Sequence, residues 1–259
     1  MIDAHIHLDW YTRDEQKTMM ETLEIDGLVA VSSDLASCEQ VWKLSKQYAN
    51  VSPAFGWHPE QALPTEEELE NIEKMIHSYH KQIVAIGEVG LPFYKRKEDP
   101  TLDQQPYIQV LERFMVLASK YDLPIVLHAV YDDAQLVCDL LVKHNVNRAH
   151  FHWFKGDLKT IKRMIDRQYM ISITPDCLYE TEIQALIKSY PLELMMVETD
   201  GPWPFEGPFQ GKMTHPNMIK EVINQIAKLK NITIIEAKEQ LTSNTYNFYH
   251  RLNVDKTTR

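Results

Sequence analysis

Short apolar runs rich in β-branched residues alternate with longer amphipathic stretches along this 259-residue chain, and that alternation constrains its fold most. Runs of this kind read as strands, and apolar positions recurring every three or four residues read as helices. The expected strands are 2–8, 27–33, 51–57, 83–88, 124–128, 148–152, 169–173 and 194–199. Helices are expected between them, over 36–48, 66–80, 104–121, 133–143 and 158–167 among others. Strand–helix alternation requires parallel strands joined by helical crossovers. Eight such units in roughly 250 residues is the size of a (β/α)8 TIM-type barrel. An open doubly wound sheet would place a Gly-x-Gly-x-x-Gly turn after its first strand, and this chain has none. No Pro-, Ser- or Gly-rich linker interrupts the pattern, so residues 1–259 are expected to form a single barrel domain.

Composition narrows the function classes. The formal net charge of −10 argues against general electrostatic affinity for nucleic acid or anionic membrane, though not against an anionic substrate at a metal site. Cys38, Cys138 and Cys177 show no paired spacing, which removes a disulfide framework and a Cys-ligated zinc site. The opening Met1-Ile2-Asp3 has no leader-like character and no apolar run approaches spanning length. A cytoplasmic protein, with no membrane association and no obligate protein partner, is the expectation.

The chemistry-bearing residues collect at the ends of the expected strands. In Ile2-Asp3-Ala4-His5-Ile6-His7-Leu8, the period of two puts Asp3, His5 and His7 on one strand face. The later strand ends supply His58, Glu88, His128, His150 with His152, and Glu198 with Asp200. In a barrel these ends meet at one face, where the active site lies. Four neutral imidazoles and two carboxylates suit two divalent ions, with zinc favoured by the imidazoles and Mn²⁺ or Mg²⁺ compatible with the carboxylates. Two such ions close together activate a water and stabilise attacking and leaving oxygens, the chemistry of a hydrolase. Trp10, Trp57, Trp153 and Trp203 also fall at or beyond strand ends, where they either stack nucleobases or plug the loop layer. Lys155 follows a strand end directly and is a candidate phosphate contact. The Lys95-Arg96-Lys97 run is either a second contact or a solvated face.

These motifs resemble the TatD family of metal-dependent hydrolases, within the amidohydrolase-like barrels. The matching segments, in the family's order, are Asp3-Ala4-His5-Ile6-His7-Leu8-Asp9, Gly56-Trp57-His58-Pro59, Gly87-Glu88-Val89-Gly90-Leu91, Val126-Leu127-His128, Phe151-His152-Trp153-Phe154-Lys155-Gly156 and Glu198-Thr199-Asp200-Gly201-Pro202. Ser243-Asn244-Thr245 resembles the family's closing helix. The resemblance implies that His5 and His7 hold one metal, that His128 and His152 hold the second, and that Glu88 bridges them. It further implies that Asp200 binds the first metal and handles the proton of the attacking water. His58 takes the family's Gly-x-His-Pro position close to the site, and with Trp153 and Lys155 it is a substrate-contact candidate. His150 competes with His152 for the ligand role; His152 is favoured because it directly precedes the aromatic-Gly segment, as in the family.

The resemblance also implies the activity: deoxyribonuclease-type, exonuclease-like phosphodiester hydrolysis with a metal-bridging hydroxide on a nucleic acid or nucleotide-like substrate. The alternative is hydrolysis of an amide, ester or lactone, including deacylation of D-aminoacyl-tRNA. Pro92-Phe93, Ala129-Val130-Tyr131-Asp132-Asp133-Ala134 and Met213-Thr214-His215-Pro216 depart from the family's usual loops, where substrate is handled.

Overall fold

The computed structural model describes residues 1–253. The first half runs β1 (Ile2–Ile6), α1 (Arg13–Glu21), β2 (Gly27–Ala30), α2 (Leu35–Gln47), β3 (Val51–Phe55), α3 (Glu66–Tyr79) and β4 (Ala85–Gly90). Next come α4 (Phe93–Glu98), α5 (Gln105–Tyr121), β5 (Ile125–His128), α6 (Asp132–Lys143), β6 (Ala149–Phe151), α7 (Leu158–Asp166) and β7 (Met170–Ile173). The chain ends with α8 (Thr181–Ser189), β8 (Met195–Val197), α9 (Ile219–Lys230) and α10 (Ile234–Phe248). Each strand pairs in parallel with the next, in unbroken order from β1 to β8. The last and first strands approach at their exits, where the Asp200 N–H donates to the His5 carbonyl at 3.0 Å and the His7 N–H to the Gly201 carbonyl at 2.8 Å. The architecture is the expected (β/α)8 barrel.

Every residue of every strand is buried. Helices cover the outer face and side chains fill the inner one, which is why the strands read as continuous apolar runs. Helix starts follow their capping chemistry. Thr12 with Glu15 and Thr233 with Glu236 form reciprocal capping boxes, while Asp34, Thr65 and Asp157 each accept the N–H three residues on. Asn244 in α10 donates at 2.7 Å to both the Leu192 and Met195 carbonyls, tying the closing helix to the entry of β8.

Several strands are shorter at their exits than their apolar patterns suggest, β5 and β7 end where expected, and β4 is shifted to Ala85–Gly90. β1 stops at Ile6, β2 at Ala30 and β8 at Val197. Just past the ends of β8 and β6, Asp200 and Trp153 take φ of +47° and +38°, a left-handed conformation that costs a non-glycine residue energy and concentrates at functional sites. Gly90 is required for a different reason. A Cβ there would stand 2.0 Å from the His128 carbonyl oxygen, so only glycine lets β4 and β5 approach this closely beside their polar ends.

Candidate metal centre

The ends of β1, β4, β5, β6 and β8 bring His5, His7, Glu88, His128, His152 and Asp200 together. Glu88 lies at the centre, fully buried, and its two oxygens face different partners. Its Oε1 is 2.8 Å from His128 Nδ1 and 2.8 Å from His152 Nε2. Its Oε2 is 3.2 Å from His5 Nε2 and 3.1 Å from His7 Nε2. Asp200 Oδ1 closes the His5–His7 side, 3.3 Å from His5 Nε2 and 3.6 Å from His7 Nε2. His5 and His152 stack with centroids 3.9 Å apart, which joins the two halves of the cluster.

Several of these buried atoms have no hydrogen-bond partner. His5 Nδ1 and Nε2, Glu88 Oε2 and Asp200 Oδ1 are all unpaired, although Nε2 and the two oxygens converge within 3.3 Å. A buried polar atom left unpaired costs about 1–3 kcal/mol, so a set pointed at one locus fits a cation shared among them. Among the described residues, three sets of ligand atoms lie within 4.8 Å of one another: His5–His7–Asp200, His5–Glu88–His152 and His7–His58–Glu88. The nitrogen and carboxylate oxygen donors match zinc or another divalent ion.

Charge in the cluster reinforces that fit. Burial and His152 oppose a proton on His5, yet Glu88 and Asp200 outweigh them and push the imidazole up to about 9. Burial would raise the Glu88 carboxyl, but His152, His58 and His5 together hold it well below the usual carboxylate range. Burial likewise raises Asp3 to about 7, against hydrogen bonds from Thr199 and the His5 backbone. Asp3 does not reach the cluster. It receives the His5 N–H at 3.3 Å and the Thr199 N–H at 3.0 Å, and so fastens β1 to the exit of β8.

The two histidines of β6 separate by depth. His152 reaches Glu88, whereas His150 is buried deeper, with Nδ1 2.7 Å from the Tyr249 hydroxyl and Nε2 2.5 Å from Ser172 Oγ. Burial lowers His150 to about 3, so it is neutral. His58 sits inside the cluster rather than at its rim, with Nε2 3.4 Å from Glu88 Oε1. Burial lowers it too, to about 3, against the pull of Glu88.

Around the mouth, Trp153 donates its indole N–H to Asp176 Oδ2 at 2.6 Å, and Lys155 Nζ lies 3.8 Å from the same oxygen. Trp10 stacks on His7 at 4.0 Å with half its surface exposed, and Trp203 is 56% exposed. Trp57 is not a mouth residue: it is buried against Tyr107 and plugs the loop layer. Arg96 is paired at 2.5 Å with the buried Asp133, which offsets its charge. His215 turns away from the cluster and contacts Thr22 Oγ1 at 3.1 Å.

Two acids at the mouth stand out only in three dimensions. Glu60 contacts His128 Nε2 at 3.2 Å and accepts the Tyr94 and Lys95 N–H groups at 2.8 Å each. Asp176 anchors Trp153 from the loop after β7. The only trace of Glu60 in the sequence is an acid directly after His58-Pro59, and Asp176 lies three residues past β7, which carries neither a histidine nor an acid of its own.

Fold and site define a metal-dependent hydrolase built on a (β/α)8 barrel. More narrowly, the chain belongs to the family described as TatD related DNase, whose sequence profile matches residues 2–250. A Haemophilus influenzae protein named as an uncharacterized metal-dependent hydrolase is 38% identical over 250 residues, covering 96% of this chain and 99% of the relative. The human protein named deoxyribonuclease TATDN3 is 29% identical, covering 97% and 95%. The crystal structure of YjjV, a TatD homologue from Escherichia coli, superimposes with a TM-score of 0.84 at 22% identity, over 96% of this chain and 98% of that one.

Proposed function

We propose that this hydrolase cleaves phosphodiesters, with short or single-stranded nucleic acid ends as substrate, using two divalent ions. The observation that carries the reading is the division of Glu88 between two histidine pairs, each oxygen serving one pair. In this reading His5, His7 and Asp200 hold one ion, His128 and His152 hold the other, and Glu88 joins them. Such ions supply Lewis acidity to a phosphoryl oxygen and lower the pKa of water. Asp200 would accept one proton of the attacking water at its carboxylate as the water oxygen bonds to phosphorus and the leaving oxygen departs with the electron pair of its broken bond. Glu88, fully buried, stays anionic and keeps the ligand pairs in register. The half-exposed Trp10 and Trp203 offer stacking faces at the mouth, and Lys155, beside Trp153 and 3.8 Å from Asp176, offers a partly offset cation. The name of the human relative supports a nucleic acid substrate.

A second reading, hydrolysis of a neutral ester, lactone or amide, is favoured by one observation. Arg96 is neutralised by Asp133, and Glu60 and Asp176 add negative charge at the mouth. Metal-loaded protein assayed with Mn²⁺ or Zn²⁺ on bis-p-nitrophenyl phosphate, oligonucleotides, esters, lactones and D-aminoacyl-tRNA separates the readings. Turnover of phosphodiesters is the expected result. Cleavage confined to esters, lactones or aminoacyl bonds rejects the phosphodiester assignment and leaves the metal centre standing.

A further inference from the structure

A chain of buried polar groups links the closing helix to the metal centre through the barrel interior. Tyr249, just after α10, lies 2.7 Å from His150 Nδ1; His150 Nε2 lies 2.5 Å from Ser172 Oγ; and Ser172 Oγ donates to Glu198 Oε2. Tyr249, His150, Ser172 and Glu198 are all essentially inaccessible to solvent. Glu198 Oε1 accepts the Trp153 backbone N–H at 2.8 Å and faces His152 Nδ1 at 3.6 Å.

The direction of every bond follows from donor counting. A hydroxyl has one proton, and that of Ser172 goes to the carboxylate. Ser172 Oγ must then accept from His150, which places a proton on His150 Nε2. The Tyr249 hydroxyl has no other partner among the described residues, so its proton goes to His150 Nδ1, which must be bare. His150 is therefore a neutral imidazole in a single tautomer, and all the donors point toward Glu198.

We propose that Glu198, oriented by this Tyr249–His150–Ser172 chain, is a positioning residue for His152 and for the strained backbone of Trp153. A histidine that ligates through one nitrogen is oriented by what its other nitrogen donates to. His152 turns Nε2 toward Glu88, which leaves Nδ1, buried and without a hydrogen-bond partner, facing the Glu198 carboxylate at 3.6 Å as the nearest acid to orient it. The same carboxylate holds the Trp153 amide, at the residue whose φ of +38° needs an external restraint. Glu198 acts through His152 and touches no reacting atom. The inference rests on the reading of His152 as a ligand.

Imidazole ¹⁵N NMR on the intact protein tests the wiring without any substitution. His150 is expected as the Nε2–H tautomer, and a proton on Nδ1, or on both nitrogens, overturns the chain. Competitive Zn²⁺ titration of wild type, Glu198→Gln and His152→Ala tests the consequence. Glu198→Gln should weaken one bound ion by about 10- to 100-fold, the usual effect of losing such an outer partner. Tyr249→Phe, which leaves Glu198 in place, should weaken it by a smaller factor and serves if the glutamine variant does not fold. If His152→Ala loses an ion while Glu198→Gln and Tyr249→Phe bind like wild type, the positioning role is wrong and the metal reading stands. If His152→Ala also binds like wild type, the metal reading itself fails.

Discussion

Glu88 is the residue on which the centre turns, because a single carboxylate serves two histidine pairs with separate oxygens. A neutral amide of the same shape offers only one good acceptor. Glu88→Gln should therefore lose at least one equivalent of metal, as read by elemental analysis after gentle purification; retention of both ions would falsify the bridging role. Asp200 is a different case. It lies past the end of β8, and its Oδ1 has no hydrogen-bond partner for the substitution to remove. Asp200→Asn should cut kcat by a few orders of magnitude, with a melting temperature within a few degrees of wild type. Near-normal turnover in that variant would transfer the proton-accepting role, with His58, 3.4 Å from Glu88, next in line.

At the scale of elements, side-chain acceptors fasten the loops that surround the mouth. Glu60 takes the Tyr94 and Lys95 N–H groups at the start of α4 and reaches His128 as well. Glu60→Ala frees two amides and one imidazole contact. The expected result is faster hydrogen exchange at Tyr94 and Lys95 and a several-fold rise in KM, and unchanged exchange there would show that the clamp does not hold the loop. Asn244 makes the corresponding tie at the other end of the barrel, where it donates to two carbonyls before β8. Asn244→Ala leaves the buried Met195 carbonyl and the part-buried Leu192 carbonyl short of a donor. It should destabilise the protein by about 1–3 kcal/mol in denaturant unfolding, the range for one buried group left unpaired.

Over the whole molecule, folding brings together like-charged and unpaired groups that metal would relieve. Ligand binding to the native state alone adds stability, about 2.7 kcal/mol when the free ion is at 100 times its Kd. Stripping metal with a chelator should lower the melting temperature by several degrees, and re-addition of Zn²⁺ or Mn²⁺ should restore it. An unchanged melting temperature in the stripped protein would argue that the convergent donors do not bind an ion. The net charge of −10 acts over the same scale. Long duplex DNA should bind poorly even at low salt, because the surface repels it and attraction is confined to the mouth. Tight, salt-sensitive binding of duplex in a gel-shift assay would contradict this.

The alternation of strand and helix patterns, with eight units and no Gly-x-Gly-x-x-Gly turn after the first strand, pointed to the barrel, whose strands are buried by helices outside and side chains within. The positions of His5, His7, Glu88, His128, His152 and Asp200 at strand ends were equally legible, because barrel topology carries all such ends to one face whatever lies between them. Tertiary structure alone decided the rest. His150 and His152 share a strand face two residues apart, and only depth within the barrel sends one to Tyr249 and the other to Glu88. Trp57 and Trp10 both follow strands, yet one is packed against Tyr107 and the other lies open over His7. Arg96 belongs to a basic run that reads as solvated or phosphate-binding until Asp133, from the first turn of α6, is seen to pair with it. Periodicity records which face a side chain takes on its own element. Depth, partner and charge balance depend on neighbours far away in the chain, and they exist only once the barrel has closed.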